Sequence, residues 1–158
     1  MSNAQMFTVP GETRLDETAI AALQNALAAE HAAVWSYTLA VAFLSGSDEE
    51  RARDDDDAHR ELRNLIEQTL SQLGAPPVSA QPAYRTPQPV TDSASAGALA
   101  VVAETDALAA WRSVLERTDD RGLRQAAMNA LTSGTLRCAR WRVAVGTPPA
   151  VPVFPGRP

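Results

Sequence analysis

The sequence predicts an all-α four-helix bundle in up-down-down-up order, and three observations carry that reading. The prolines fall in three places, Pro10, Pro76 to Pro89 and Pro148 to Pro158. Glycine divides the two long proline-free stretches near their middles, at Gly46 and Gly122. Within them apolar residues recur at alternating spacings of three and four, the period of one helix face. Proline inside a helix costs about 3 kcal/mol, so helices are confined to residues 11 to 75 and 90 to 147. Thirty alanines favour the helical state.

The elements follow in order. Helix α1 is expected over 14 to 45, opened by Thr13 or Asp16, with residues 1 to 13 as an extension before it. Its inner stripe is Ile20, Leu23, Leu27, Glu30, Val34, Tyr37, Val41 and Leu44, apolar but for one carboxylate. Helix α2, over 48 to 73, starts at Ser47-Asp-Glu-Glu50, a capping-box pattern, and stops at Gly74. Its inner face reads Ala52, Asp56, His59, Leu62, Ile66, Leu70 and Leu73. The proline-rich segment that follows reaches about 55 to 60 Å when extended. A helix of this length is about 39 Å long, so the segment can cross the whole bundle and start α3 beside the start of α2.

Helix α3, over 93 to 118 from Asp92 or Ser93, carries Val101, Glu104, Leu108, Trp111 and Leu115. An offset of 74 maps Leu27, Glu30, Val34, Tyr37 and Val41 onto these five, an internal pseudo-repeat of the hairpin. Helix α4, over 120 to 145 from Thr118 or Asp119, stops at Gly146. The bundle thus spans 14 to 145, and 146 to 158 is a proline-rich tail expected to tuck Val151, Val153 and Phe154 against a helix.

Helix heights bring the polar residues together. Glu30 lies 16 residues before Gly46 and His59 lies 13 after it, so they face each other across the hairpin. Glu104 takes the matching level in the second hairpin, and Asp56 stands one turn from His59. A buried carboxylate is penalised by several kcal/mol unless it is paired, hydrogen-bonded or bound to a cation. Two answers fit: one iron, manganese or zinc ion held by Glu30, Asp56, His59 and Glu104, or a network closed by Arg137 or Arg140 and the Tyr37 hydroxyl.

Four long helices, a long crossover, Glu30, the Asp56-x-x-His59 pair and Glu104 together resemble the ferritin-like superfamily. AAEHAAVWSY in α1 and RCARWRVAVGTPPAVPVFPG at the end resemble, more narrowly, a ferritin-like domain family of unknown function. The resemblance implies a di-iron site, with one glutamate from each of two helices and Glu-x-x-His from each of the others. This chain departs from it. The offset maps Asp56 to Ala130 and His59 to Ser133, and α4 has neither histidine nor acid after Asp120. The expectation is therefore a protein that is no ferroxidase, without a cofactor, whose cluster is structural or binds a small ligand. A mononuclear metal protein is the alternative, and neither reading decides whether it is an enzyme.

The remaining features are read as follows. His31, about 100° from Glu30, belongs to a helix or dimer contact, and Cys138 packs as a small apolar group. Gly134 allows close helix approach or room for a ligand, and the acids of Asp48 to Asp57 form a solvated first turn. Trp35 and Trp141 suggest an outer apolar face and hence a homodimer. One cysteine excludes a disulfide framework, and no apolar run approaches the roughly 20 residues of a membrane span. A net charge of −5 gives no reason to expect nucleic acid or an anionic membrane, and MSNAQMFTVP lacks a signal-peptide pattern, so a cytoplasmic location is expected. All 14 basic residues are arginine, which makes an arginine the natural candidate for a fixed internal cation.

Overall fold

A computed structural model describes residues 15–157; the segment 1 to 13 and Thr13 as a helix start lie outside the described residues. The four helices are α1 (Glu17–Val41), α2 (Gly46–Gln72), α3 (Ser93–Glu116) and α4 (Arg121–Ala144). Asp16 caps α1 by accepting the Ala19 amide, and Asp92 caps α3 in a reciprocal box with Ser95. Two starts differ from expectation. Helix α2 begins at Gly46, whose φ of +59° makes the turn, so the Ser47 capping box does not form and Ser45 is the N-cap. Helix α4 is capped by Asp120, which accepts the Leu123 amide, rather than by Thr118 or Asp119. Both predicted stops hold, with Ala75 N–H on Leu70 C=O at 2.9 Å and Thr147 N–H on Arg142 C=O at 2.8 Å, closing the ends around Gly74 and Gly146.

Side-chain pairings fix the topology. Glu30 bonds Trp111 while Tyr37, two turns further up α1, bonds Glu104, so α3 runs against α1. Glu30 also meets His59, and Glu104 meets Arg137, which closes the two antiparallel hairpins. The order is up-down-down-up, as the crossover length allows. That crossover is fastened along α1: Gln24 donates to Pro76 C=O at 2.7 Å and accepts from the Val78 amide at 2.8 Å. His31 Nε2 donates to Val78 C=O at 3.0 Å, and Trp35 packs on Tyr84 with ring centroids 5.8 Å apart. His31 is thus a clamp on the crossover. The paired-tryptophan outer face is not there, because the crossover covers Trp35 and Trp141 is 1% exposed.

Two apolar layers fill the bundle. Leu23, Leu27, Ile66, Leu70, Trp111 and Val114 form one; Tyr37, Ala40, Leu44, Ala52, Ala100 and Trp141 form the other. Helices α1 and α2, α1 and α3, and α3 and α4 pack most closely; α2 and α4 are joined where Asp55 accepts from Trp141 and Arg140, and a cleft lies between them elsewhere. Gly134 serves close approach, since a Cβ there would meet Leu108 Cδ2 at 3.1 Å. The tail corrects another expectation: Val151, Val153 and Phe154 are exposed, and Gly156 makes the contact with α3. Among the described residues no helix is long and apolar enough to cross a membrane.

Candidate functional site

Between the two apolar layers lies a polar one. Glu30, His59 and Glu104 are fully buried and Arg137 is 7% exposed, each delivered by a different helix. His59 stands at the centre, with Nδ1 2.6 Å from Glu30 Oε2 and Nε2 3.0 Å from Glu104 Oε1. Glu30 Oε1 accepts the Trp111 indole N–H at 2.7 Å. Glu104 Oε1 also accepts the Tyr37 hydroxyl at 2.7 Å, and Arg137 Nε donates to Oε1 at 3.0 Å and Oε2 at 3.2 Å. The Tyr37 ring stacks on the imidazole, 5.4 Å between centroids.

Ionised carboxylates only accept hydrogen bonds, so an imidazole pinned between two of them must carry a proton on each nitrogen. Two carboxylates then face one imidazolium and one guanidinium, and the layer is neutral. Burial works against the charge on His59, but the Glu30 charge and the bonds to Glu104 and Glu30 outweigh it and push the pKa up to about 10. Burial also opposes the Glu104 charge. The His59 hydrogen bond, the charges of His59 and Arg137 and the Tyr37 bond outweigh that and hold its carboxyl below the usual range. Burial beside Glu104 and Asp55 raises the Tyr37 hydroxyl well above its ordinary value, so it stays a donor.

The remaining predicted residues are elsewhere. Asp56 does not join the cluster; it accepts from Arg60 at 3.0 Å across one helical turn. Its neighbour Asp55 is the buried one, 3% exposed, accepting the Trp141 indole N–H at 2.8 Å and pairing with Arg140 at 3.4 Å. Arg140 therefore serves Asp55 one turn away, and Arg137 alone of the two reaches Glu104. Burial raises the Asp55 carboxyl, and the Trp141 bond offsets part of that rise. Continuing the alternation of three and four from Ala52 to His59 lands on Asp55, a signal present in the sequence. Cys138 is buried with its sulfur 3.9 Å from the Thr105 hydroxyl, and burial raises its thiol.

The arrangement does not fit a metal. Both ring nitrogens of His59 are engaged through protons, Glu104 is occupied by Arg137, and Asp56 stands outside. Asp56 Oδ1 is buried without a hydrogen-bond partner, but one oxygen is not a donor set. Among the described residues no three histidine, cysteine or acidic side chains converge on a point that would hold an ion.

Beside the cluster, between α2 and α4, lies a cleft of about 420 Å³. Leu62 and Leu65 line it from α2, Ala126, Ala130 and Ser133 from α4, and Trp111 and Arg137 lie at its floor. Ala130 and Ser133 are the positions the 74-residue offset makes equivalent to Asp56 and His59. On α4 the inward stripe runs one residue later, through Ala130, Gly134 and Arg137, which leaves Ser133 exposed at the cleft wall.

Comparisons with known proteins found a solved structure and a family model that match this chain. The crystal structure of a conserved hypothetical protein from Mycobacterium tuberculosis superposes with a TM-score of 0.78 at 32% identity, over 82% of this chain and 98% of that one. No curated protein sequence matches. The family model described as "Domain of unknown function (DUF4439)" matches residues 22–158, which contain all of α2, α3 and α4 and most of α1, and the chain belongs to that family.

Proposed function

We propose that this chain is a ferritin-like bundle without ferroxidase chemistry, whose mid-bundle site is closed by protein cations and whose α2–α4 cleft takes a small ligand. One observation carries the reading: His59 donates from both ring nitrogens to Glu30 and Glu104, while Arg137 Nε holds Glu104 from the other side. Two fixed cations thus neutralise two carboxylates that would otherwise need a metal. In the ferritin-like resemblance, α4 would supply a second Glu-x-x-His. Here Ala130 and Ser133 occupy those positions and line the cleft, so the lost ligands leave space rather than another partner. A volume of about 420 Å³, mostly apolar walls and a charged floor suit a small organic molecule.

Metal analysis of protein made in iron- and manganese-supplemented medium and purified without chelator tests the closed cluster. The expected result is far less than one ion per chain and a melting temperature unchanged by chelator. About one ion per chain, lost on Glu30→Ala, would overturn the reading.

A further inference from the structure

We infer that the α2–α4 cleft binds a small monocarboxylate with an apolar or aromatic body, its carboxylate held end-on by Arg137. The inference rests on the small-ligand reading above and names the ligand's class. Arg137 is 7% exposed, and its Nε alone makes both bonds to Glu104. Its Nη1 and Nη2 have no protein partner among the described residues, yet they are not among the sealed polar atoms that lack one. Arg137 lines the cleft, so the unpartnered end of the guanidinium opens into it.

A guanidinium presents parallel N–H donors that match the two oxygens of a carboxylate, and the pairing gains strength where water is excluded. Glu104 lies on the Nε side, which leaves the Nη side as the positive pole of an otherwise neutral layer. Above that pole Leu62 and Leu65 face Ala126 and Ala130, with Trp111 at the floor, and Asn129, Thr132 and Ser133 add polar groups to the α4 wall. Glu61, the acid among the lining residues, is exposed, which disfavours a second carboxylate at the far end of the ligand. One acidic head and one apolar body complete the description.

The test is titration of the full chain with phenylacetate and with neutral phenylacetamide, followed by calorimetry and by the indole N–H resonance of Trp111. Phenylacetate should bind saturably and at least about tenfold more tightly than the amide. Ser133→Phe, which fills the cleft from an exposed position outside the cluster, should weaken phenylacetate at least about tenfold. It should leave the Trp141 indole N–H resonance of the free protein in place, since Trp141 bonds Asp55 away from the cleft, showing that the fold is intact. Equal affinities for acid and amide would overturn the carboxylate assignment while leaving the small-ligand reading standing. Absence of saturable binding by either probe up to ~10 mM would overturn both, as would binding that is indifferent to Ser133→Phe.

Discussion

Raising the pH from 7 to 8.5 should weaken this fold mainly through one residue. His59 lies between two acceptor-only oxygens at 2.6 and 3.0 Å and so holds two protons in the native state. Its pKa is raised from 6.5 to about 10, so its contribution to stability is fully present below pH 6.5 and is lost as the pH rises through 10. Between those values the native state binds one proton that the unfolded chain has released. Stability then falls by about 1.4 kcal/mol per pH unit, roughly 2 kcal/mol between pH 7 and 8.5. Against a typical total of about 5 to 15 kcal/mol, that is a large effect. Burial also raises the Cys138 thiol, which lowers stability in the same direction toward the top of this window, so the His59 share is read as the difference from His59→Gln. Guanidinium unfolding at constant ionic strength gives the slope, and ring ¹⁵N shifts of His59 give its protonation directly. A flat profile, or the same slope in His59→Gln, would refute the imidazolium and with it the neutrality of the layer.

Three further outcomes are expected. Arg137→Met should cost about 3 to 5 kcal/mol in denaturant unfolding because Glu104 stays buried with one cation fewer, and Arg137→Met with Glu104→Met should cost much less than the two changes summed; additivity would count against the pair. Asp55→Ala should cost about 1 to 3 kcal/mol by stranding the Trp141 N–H and the Arg140 partner, whereas Asp56→Ala, which loses only the Arg60 pair, should change stability by less than about 1 kcal/mol; equal effects would contradict the burial of Asp55. Gly156→Ala should release the tail, since φ is +78° and a Cβ would lie 2.6 Å from Leu108 O; limited proteolysis should then cut within 147 to 157 faster while α1 to α4 stay protected.

How much of this was legible depended on periodicity. The 3, 4 seams of α1 and α3 placed Glu30, Tyr37, Glu104 and Trp111 on inner faces, and helix rise put His59 at the level of Glu30. On α2 the stripe written with Asp56 broke the alternation, and the residue that keeps it, Asp55, is the buried one. On α4 the repeat slips by one residue, because Gly134 rather than Ser133 takes the inward position against Leu108. Polar and glycine positions carry no hydropathy signal to fix such a register, so pattern alone misplaced them. The roles of His31 and Trp35 lay beyond any local pattern, since their partners Val78 and Tyr84 belong to an extended crossover whose path only the tertiary structure gives. The tail misled for the opposite reason: its apolar residues face outward and a glycine makes the contact.

The geometry of Arg137 separates a purely structural cation from one with a second task. A buried guanidinium whose sole role was to neutralise Glu104 could present both a terminal nitrogen and Nε, giving two parallel bonds to the two oxygens. Here Nε alone spans both Glu104 oxygens at 3.0 and 3.2 Å, and neither terminal nitrogen bonds the carboxylate. Arg137 also lines the cleft, and a Cβ on the neighbouring Gly134 would lie 3.4 Å from its Nη2. The residues beside them on α4, Ala126, Ala130 and Ser133, are small, so the donors meet space where bulkier neighbours would have covered them. The same small residues therefore leave a charged donor group that is nearly buried yet lines a cleft. A cation that served Glu104 alone would not need that cleft beside it.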